Sequence, residues 1–351
     1  MRVLIALLVL CLPQAALADP GDVRRFPAPS GNAAAQLRVQ GSTDLEVFAT
    51  VIADYQRLHP DTEVVYEDVI AWDIAARYLK DPYAARRPDI MISASMDLQT
   101  KLANDGYALA HRSPQTDALP DWAQWRHEVF AISTEPVAIV YNTRLLPATK
   151  APHTRRQLLD LLRDPAGPLR GRVGTYDVER SGTGYLFATQ DAQVGSVSTA
   201  LLAELGRNAV QLEERTGVLL DRVASGNLVL AYNVLGSYAK ARIDAGAPLA
   251  IVQPEDYTLV ALRTAVISRT AMHPAQARQF LDYLLSPRGQ RVLTEQARLG
   301  PVLPASVTGT PARTMRPIVL GPGLLVYLDT LKRRQFLENW RTIVQPQAAT
   351  P

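Results

Sequence analysis

The sequence predicts an α/β protein made of two units, and three observations lead to this fold class. Strand-like and helix-like runs alternate over residues 37–106, as in a parallel sheet covered by helices. Two extended runs at 129–133 and 137–142 follow, and such long β-segments can carry a chain out of one domain into another. A second alternation of helices and strands then fills residues 155–268.

Composition and charge agree with a globular protein and exclude some functions. The chain has 351 residues, which is enough for two domains with substantial cores. Apolar residues make up 47% and charged residues 20%, so most of the chain is expected to fold. The formal charge of +3, without a dense basic cluster interleaved with aromatics, argues against nucleic-acid binding.

The first 18 residues have the three parts of a secretory signal. Arg2 is the positive start, residues 3–12 are apolar, and Ala16-Leu17-Ala18 forms a small-x-small cleavage site. The only cysteine, Cys11, lies inside this segment, so the mature chain is expected to lack disulfides and thiol-based metal sites. Export without disulfides suits a bacterial periplasm.

The first unit follows a lead-in rich in Pro, Gly, Ala and Asn at 19–36, which we expect to be flexible. Its strands are predicted to be short and apolar, and the helices between them carry apolar residues at helical spacing. In chain order the predicted elements are strand 37–39, helix 46–58, strand 62–66, helix 72–79, strand 89–92 and helix 98–104.

Small polar residues follow the first and third of these strands. Ser42, Thr43 and Asp44 come after the first strand, and Ser93 and Ser95 come after the third. Because ligands bind at the carboxyl ends of parallel strands, these residues are predicted to line a ligand site. Thr43 could equally cap the following helix. Of Ser93 and Ser95, the sequence does not say which one faces the site.

The second unit is reached through Thr134 and Glu135, which lie where the chain crosses and could be hinge residues or ligand contacts. The run at 265–268 is the predicted return crossing. The other predicted elements are helix 155–163, strand 172–176, helices 185–192, 199–205 and 216–226, strands 228–232 and 249–252, and helices 274–285, 287–296 and 324–340.

A polar, glycine-punctuated loop at 177–185 joins a predicted strand to a predicted helix. A helix start has unpaired N–H groups and partial positive charge, and it can therefore hold an anion. We predict such a site at Ser181, Gly182, Thr183 and Gly184, with Arg180 as a neutralising cation or, equally, a surface residue. The alternative for the loop is a simple turn with Ser or Thr as N-cap.

Four segments resemble the ferric-iron-type periplasmic solute-binding proteins of bacterial ABC importers. The similarity extends over about 37–306, and its most specific part is a helix ending in Ser286-Pro287-Arg288-Gly289-Gln290. The four segments are 171–184, 224–233, 245–256 and 275–290.

The resemblance implies a type 2 clamshell with two crossing strands as its hinge. Residues 37–134 plus 266–344 would form lobe 1, including a C-terminal helical tail, and 135–265 would form lobe 2. The ligand would lie in the cleft between the lobes and be trapped when the hinge closes.

One departure from the family pattern bears on the ligand. Iron binders of this family are expected to carry adjacent tyrosines after a strand-ending asparagine, but here Asn233 is followed by Val234 and Leu235. Val and Leu cannot ligate Fe³⁺, so ferric binding is disfavoured. Relatives without the tyrosine pair are similar to binders of sugar phosphates, phosphoglycerates or phosphonates. Asn233, Ser237 and Tyr238 are the expected contacts from this part of the cleft, although Tyr238 could instead be packed in the core.

The predicted function is capture of a small anionic molecule, phosphorylated or a phosphonate, for an ABC importer. One alternative is a periplasmic sensor for a membrane histidine kinase, motivated by an amphipathic tail at 307–344 that could dock a partner or pack on its own lobe. Ferric binding is a second alternative. An exported hydrolase is a third, but no Gly-x-Ser-x-Gly motif is present. We expect a monomeric, non-enzymatic protein without cofactor or metal.

Overall fold

The computed structural model describes residues 22–164, 167, 169–303 and 314–345. The predicted signal segment 1–18, with Cys11, lies outside the described residues. None of the helices in the described ranges combines the length and apolar character needed to cross a membrane.

Helices and strands alternate through most of the described chain. The helices are α1 Leu45–Leu58, α2 Ala71–Lys80, α3 Met96–Asn104, α4 Pro114–Asp117, α5 Arg155–Arg163, α6 Gly182–Val194, α7 Ser196–Arg207, α8 Thr216–Ala224, α9 Gly236–Asp244, α10 Pro274–Leu285, α11 Pro287–Glu295 and α12 Thr330–Val344. The strands are β1 Asp22–Phe26, β2 Ala35–Gly41, β3 Thr62–Asp68, β4 Ile90–Ser93, β5 Gln124–Trp125, β6 Val129–Asn142, β7 Val173–Tyr176, β8 Gln211–Glu213, β9 Leu230–Leu235, β10 Leu249–Val252, β11 Thr258–Ile267 and β12 Met315–Pro317.

The strands are hydrogen-bonded in the order β1-β3-β2-β4-β11-β6-β9-β7-β8, and β5, β10 and β12 pair at the side. In the first lobe, β3, β2 and β4 are parallel neighbours. In the second lobe, β8, β7 and β9 are parallel neighbours. Each parallel set has helices in its connections, so the predicted two-lobe α/β fold is confirmed.

The strands β6 and β11 join the two lobes. The break expected near residues 134–136 is absent, because β6 is one continuous strand of 14 residues. Its first half pairs with β11 as far as Pro136, and its second half pairs with β9 from Val137 onward. A single strand therefore belongs to both sheets, which is the geometry of a hinge.

Two expectations about the chain ends are corrected. Residues 22–26, placed in a flexible lead-in, form the edge strand β1, which pairs antiparallel with β3 and gains a full ladder of hydrogen bonds. The helical tail was assigned to lobe 1, but α12 packs against α7 of the second lobe. Leu337, Trp340 and Val344 share a core with the second lobe because that lobe offers them an apolar surface.

Each lobe has a dense core. In the first lobe, Phe48 stacks on Tyr66 and meets Phe280 edge-on, and all three rings are fully buried. In the second lobe, Leu158, Leu205 and Tyr185 are fully buried. Burial of such a side chain contributes about 1.5–3 kcal/mol, so the lobes are rigid bodies that can position groups facing the gap between them.

Candidate functional site

A pocket lies between the two lobes at the carboxyl ends of their parallel strands. It consists of a narrow inner cavity of about 40 Å³ that shares Asp44, Val69, Ile70, Glu214 and Arg215 with a mouth of about 620 Å³. The mouth is on the scale of a small-molecule site. Both lobes therefore contribute walls to one candidate binding site.

Several helices begin at this pocket. The residue that precedes the first turn of each of five helices lines the inner cavity: Asp44 for α1, Ile70 for α2, Ser181 for α6, Arg215 for α8 and Leu235 for α9. Each helix start carries partial positive charge and unpaired N–H groups. Their convergence from both lobes makes the inner pocket suited to an anion.

The glycine-punctuated loop predicted from the sequence lies at this pocket. The Ser181 hydroxyl accepts a hydrogen bond from the Gly184 amide at 3.2 Å, so the predicted N-cap role is confirmed. Ser181, Gly182 and Thr183 nevertheless line the cavity. The amides of Gly182 and Thr183 have no acceptor among the residues that the structure describes. Capping and ligand access coexist here, because the cap uses a different amide.

The loop also touches the first lobe. The Ser95 and Thr183 hydroxyls are 3.2 Å apart across the gap. A Cβ added to Gly182 would lie 2.9 Å from Ser95 Oγ and 3.0 Å from a methyl group of Leu98. The starts of α6 and α3 therefore approach each other closely at position 182, where a larger residue would require Ser95 and Leu98 to shift.

The first lobe contributes carboxylates. Asp44 lines the inner cavity and the mouth, and Asp68 lines the mouth. Burial, with a further contribution from Asp68, raises the pKa of the Asp44 carboxyl. Burial also raises the pKa of Asp68, although its ion pair with Arg215 at 2.8 Å acts in the opposite direction. These oxygens can accept hydrogen bonds from ligand hydroxyl or ammonium groups.

Arg215 is the cation that sequence reasoning missed. It precedes α8, lines both the inner cavity and the mouth, and is paired across the gap with Asp68. The available signal was its position directly before Thr216, the predicted start of a helix.

Arg180, the cation chosen from the sequence, does not line the inner cavity. Its side chain is 69% exposed and forms an ion pair with Glu214, which itself lines the inner cavity and the mouth. The charge expected from Arg180 is therefore supplied by Arg215, because the turn after β7 points residue 180 to solvent.

Two tyrosines lie at the base of the pocket. The Tyr238 hydroxyl accepts a hydrogen bond from the Asp44 amide at 3.4 Å, so Tyr238 faces the cleft as predicted while also being buried. The Tyr176 hydroxyl is 2.5 Å from that of Thr216. Burial raises the pKa of both phenols well above the ordinary value, which opposes their use as tyrosinate ligands.

The predicted first-lobe hydroxyls differ in their positions. Ser42 lines the cavity, and its hydroxyl is 3.1 Å from that of Ser93. Ser93 is buried behind it and does not line the cavity. Thr43 neither caps α1 nor faces the ligand site, because its hydroxyl accepts a short hydrogen bond from the guanidinium of Arg263. Of the two serines after β4, it is Ser95 that reaches the opposite lobe.

Glu135, Ser237 and Thr134 belong to the hinge rather than to the pocket. Glu135 and Arg263 are both fully buried and form an ion pair of 2.7 Å between β6 and β11. Ser237 donates to the same carboxylate at 2.6 Å. Thr134 donates to the carbonyl of Pro301 at 3.0 Å. All three side chains have internal partners and none of them lines the inner cavity or the mouth, so the structure favours the hinge role for them.

Two further predicted contacts face the interior of the second lobe. Asn233 has a left-handed backbone conformation (φ 58°), and its amide donates to Asp191 at 2.6 Å. Gly184 packs against Tyr176, with no room for a Cβ. The positive φ at Asn233 turns its side chain away from the cleft, which the sequence pattern does not reveal.

No group of three or more His, Cys, Asp or Glu side chains within the described ranges is arranged to hold a metal ion. The inner cavity is lined by amides, hydroxyls, carboxylates and Arg215, and the mouth adds Arg77 and Arg242.

This fold and cleft define a two-lobe solute-binding protein. Residues 27–296 match the family model described as bacterial extracellular solute-binding protein, and the chain belongs to that family. The substrate-binding protein of an ABC transporter from Agrobacterium tumefaciens has 34% sequence identity and a TM-score of 0.87, covering 92% of this chain and 98% of that one. The protein is thus a solute-binding protein of the ABC-importer class.

The names of two other similar proteins mention a bound ligand or a transported compound. The periplasmic binding protein AfuA from Actinobacillus pleuropneumoniae, solved with exogenous fructose-6-phosphate bound, has 20% identity and a TM-score of 0.70, covering 89% of this chain and 99% of that one. The phosphoglycerate transport regulatory protein PgtC of Salmonella typhimurium is 30% identical over 142 residues, or 40% of this chain. The match spans about a third (34%) of that relative's length.

Proposed function

We propose that this protein captures a phosphate ester or phosphonate that also carries hydroxyl or amino groups, and delivers it to an ABC permease. One observation carries the proposal: five helix starts converge on the interlobe pocket, and the amides of Gly182 and Thr183 are free to bind an anion there. Arg215 adds a full positive charge at the same place.

The acidic side of the pocket narrows the ligand class. Asp44 and Asp68 face the same space as the helix starts, so an anion without donor groups would meet repulsion at the mouth. A ligand with a phosphate at one end and hydroxyl or amino groups at the other satisfies both sides. The fructose-6-phosphate in the AfuA structure and the phosphoglycerate in the name of PgtC belong to this class.

The remaining parts of the proposal follow from the family. Cleavage after Ala18 would release the mature chain into the periplasm, where it acts as a monomeric carrier without catalysis. The sensor alternative was motivated by the amphipathic tail, and packing of Leu337, Trp340 and Val344 on the second lobe accounts for that pattern. The ferric alternative is not supported by a group of iron ligands among the described residues. The hydroxyl groups of Tyr176 and Tyr238 in the cleft are hydrogen-bonded and resist ionisation.

A ligand panel with one matched pair of variants tests the proposal. Fructose 6-phosphate, 3-phosphoglycerate and 2-aminoethylphosphonate are titrated by calorimetry against fructose, inorganic phosphate and ferric citrate. At least one of the first three should bind, and at a hundredfold excess over Kd it should stabilise the protein by about 2.7 kcal/mol in thermal unfolding. Fructose, without an anionic group, should not bind.

Thr183→Asp places a carboxylate over the free amides, whereas Thr183→Asn has the same shape without charge. The aspartate favours the helix start and should leave the ligand-free protein folded, but it should weaken ester binding at least about a hundredfold by occupying the anion site. The asparagine variant should lose much less affinity. Equal affinities of the two variants, or a tight ferric complex with a tyrosinate absorption band, would refute the assignment.

A further inference from the structure

The C-terminal segment starts beside the hinge strand β11 and runs from the first lobe to the second. Ile318 donates from its backbone to Val260 at 2.9 Å, and Ile318, Leu320 and Leu324 are buried in the core of the first lobe. The 3₁₀ helix Pro322–Leu328 packs against α3. The chain then crosses to α7, where α12 is anchored in the core of the second lobe. This is a third connection between the lobes besides β6 and β11.

Three side chains from three regions meet where the segment crosses. Trp72 of α2 belongs to the first lobe, Tyr185 of α6 belongs to the second, and their ring centroids are 5.8 Å apart. The guanidinium of Arg333 in α12 lies 4.6 Å from the Trp72 ring and 5.7 Å from the Tyr185 ring. One cation therefore contacts an aromatic face from each lobe, which is an attractive arrangement for both rings.

Neighbouring contacts fix the positions of Trp72, Tyr185 and Arg333. The Tyr185 hydroxyl donates to the Tyr327 carbonyl at 2.5 Å, and Phe336 packs edge-on against Tyr185 at 5.5 Å. Arg341 pairs with Glu179 at 2.8 Å, beside the anion-binding loop. The segment thus touches α6, the helix whose start forms part of the pocket.

Among the described residues no carboxylate forms an ion pair with Arg333, although its charge acts at longer range on Asp97 and Glu179, whose pKa values it lowers. The Arg333 Nε atom and the Trp72 Nε1 atom are buried and make no hydrogen bond to the residues that the structure describes. The contact with the two rings is consequently what positions the guanidinium. Separation of Trp72 from Tyr185 would leave Arg333 beside one ring at most.

We propose that residues 318–344 form a strap that favours the closed arrangement of the lobes, in which the start of α6 touches the start of α3 across the cleft, and that Arg333 is its positioning residue. The ligand-binding part of this inference rests on the proposed function, whereas the effect on closure does not. If the closed arrangement is the one competent for tight binding, the strap raises its population, lowers the apparent Kd and slows ligand release.

Arg333→Gln tests the strap, with Arg334→Gln at the exposed neighbouring position as its matched control. In the ligand-free protein, the amide of Asp44 in the first lobe donates to the Tyr238 hydroxyl of the second lobe, so its hydrogen exchange reports separation of the lobes. Arg333→Gln should accelerate this exchange about 3- to 30-fold, as expected for loss of a cation–π contact with two rings. Arg334→Gln should exchange like the wild type.

Ligand affinity should change together with the exchange rate. Arg333→Gln should raise the Kd of whichever phosphate ester binds the wild type by a similar factor, mainly through faster dissociation. If no ester binds the wild type, the proposed function fails, and the exchange experiment still decides the strap. Unchanged exchange in Arg333→Gln would overturn the inference.

A second variant detaches the other end of the strap. A Cβ on Gly206 of α7 would collide with the backbone of Ile343 and Val344 in α12. Alanine is a better helix former than glycine, so α7 itself should be retained while α12 is displaced. Gly206→Ala should accelerate exchange at the Asp44 amide at least as much as Arg333→Gln. A wild-type rate in Gly206→Ala would show that docking of α12 does not influence closure.

Discussion

The hinge and the mouth of the cleft both join the lobes through an arginine–carboxylate pair, but at different depths. At the hinge, Arg263 and Glu135 are both fully buried. At the mouth, the side chain of Arg215 is 38% exposed and that of Asp68 is 11% exposed. The buried pair is enclosed by partners and holds the strands together, whereas the mouth pair faces open space and can exchange partners with a ligand. The difference in burial thus distinguishes a structural ion pair from one that the proposed ligand can reach.

The hinge pair should produce the largest effect on stability. Glu135→Gln leaves the Arg263 charge buried without a counter-ion, which should lower the free energy of unfolding by about 3–5 kcal/mol. Urea unfolding measures the change. The double variant Glu135→Gln with Arg263→Met removes the charge as well and should recover part of the loss. A double variant no more stable than the single one would contradict this account of the hinge.

The free energy of unfolding should also depend on pH, because Asp97 is a buried carboxylate without a close cationic partner. Burial raises the pKa of Asp97 to about 7, against opposing effects of the Leu98 amide and Arg333. The folded state therefore binds the proton more tightly than the unfolded chain, whose pKa is about 4. The resulting stability is complete below about pH 4 and is lost as the pH rises towards 7.

Asp97→Asn removes this dependence. At pH 8 the variant should exceed the wild type in unfolding free energy by on the order of 2 kcal/mol, and the gap should narrow at pH 5. Denaturant titrations at the two pH values measure it, with Asp121→Asn at an exposed carboxylate as the control. A gap that stays constant with pH would show that Asp97 is not the titrating group.

The mouth pair should affect binding more than stability. Arg215→Gln should weaken binding of the phosphate ester about tenfold to a hundredfold, because a charge-assisted contact is worth about 1.5–3 kcal/mol. The free energy of unfolding should fall by no more than about 1 kcal/mol, since the pair is partly exposed.

Arg180→Gln should have the smallest effect on ligand affinity and can be compared directly with Arg215→Gln. The side chain of Arg180 pairs with Glu214 at the surface, where such pairs contribute about 0–1 kcal/mol. Calorimetry should find its ligand affinity within about twofold of the wild type, as expected for a group outside the pocket. An equal loss of affinity in Arg180→Gln and Arg215→Gln would show that Arg180 does belong to the binding site.

Local patterns were sufficient for the class of fold and for part of the site. Alternating strands and helices predicted the parallel sheets, and the loop Ser181–Gly184 was predicted to start a helix that can hold an anion. Ser42, Asp44, Ser181, Gly182, Thr183 and Tyr238 do line the inner cavity. Their positions could be predicted because caps, turns and the carboxyl ends of strands depend on neighbours in sequence, whereas their contact with a ligand stays a prediction.

Contacts between distant segments decided the rest. Glu135 was a candidate ligand residue until Arg263, far along the chain, enclosed it at the hinge. Asn233 of β9 faces the interior, where Asp191 of α6 accepts a hydrogen bond from its amide. Arg215 lines the cavity in place of Arg180 because α8 begins at the cleft. The sequence by itself determined two lobes and a helix start suited to an anion. The tertiary structure alone decided which polar groups remain unpaired at the cleft, because pairing depends on partners that only folding brings together.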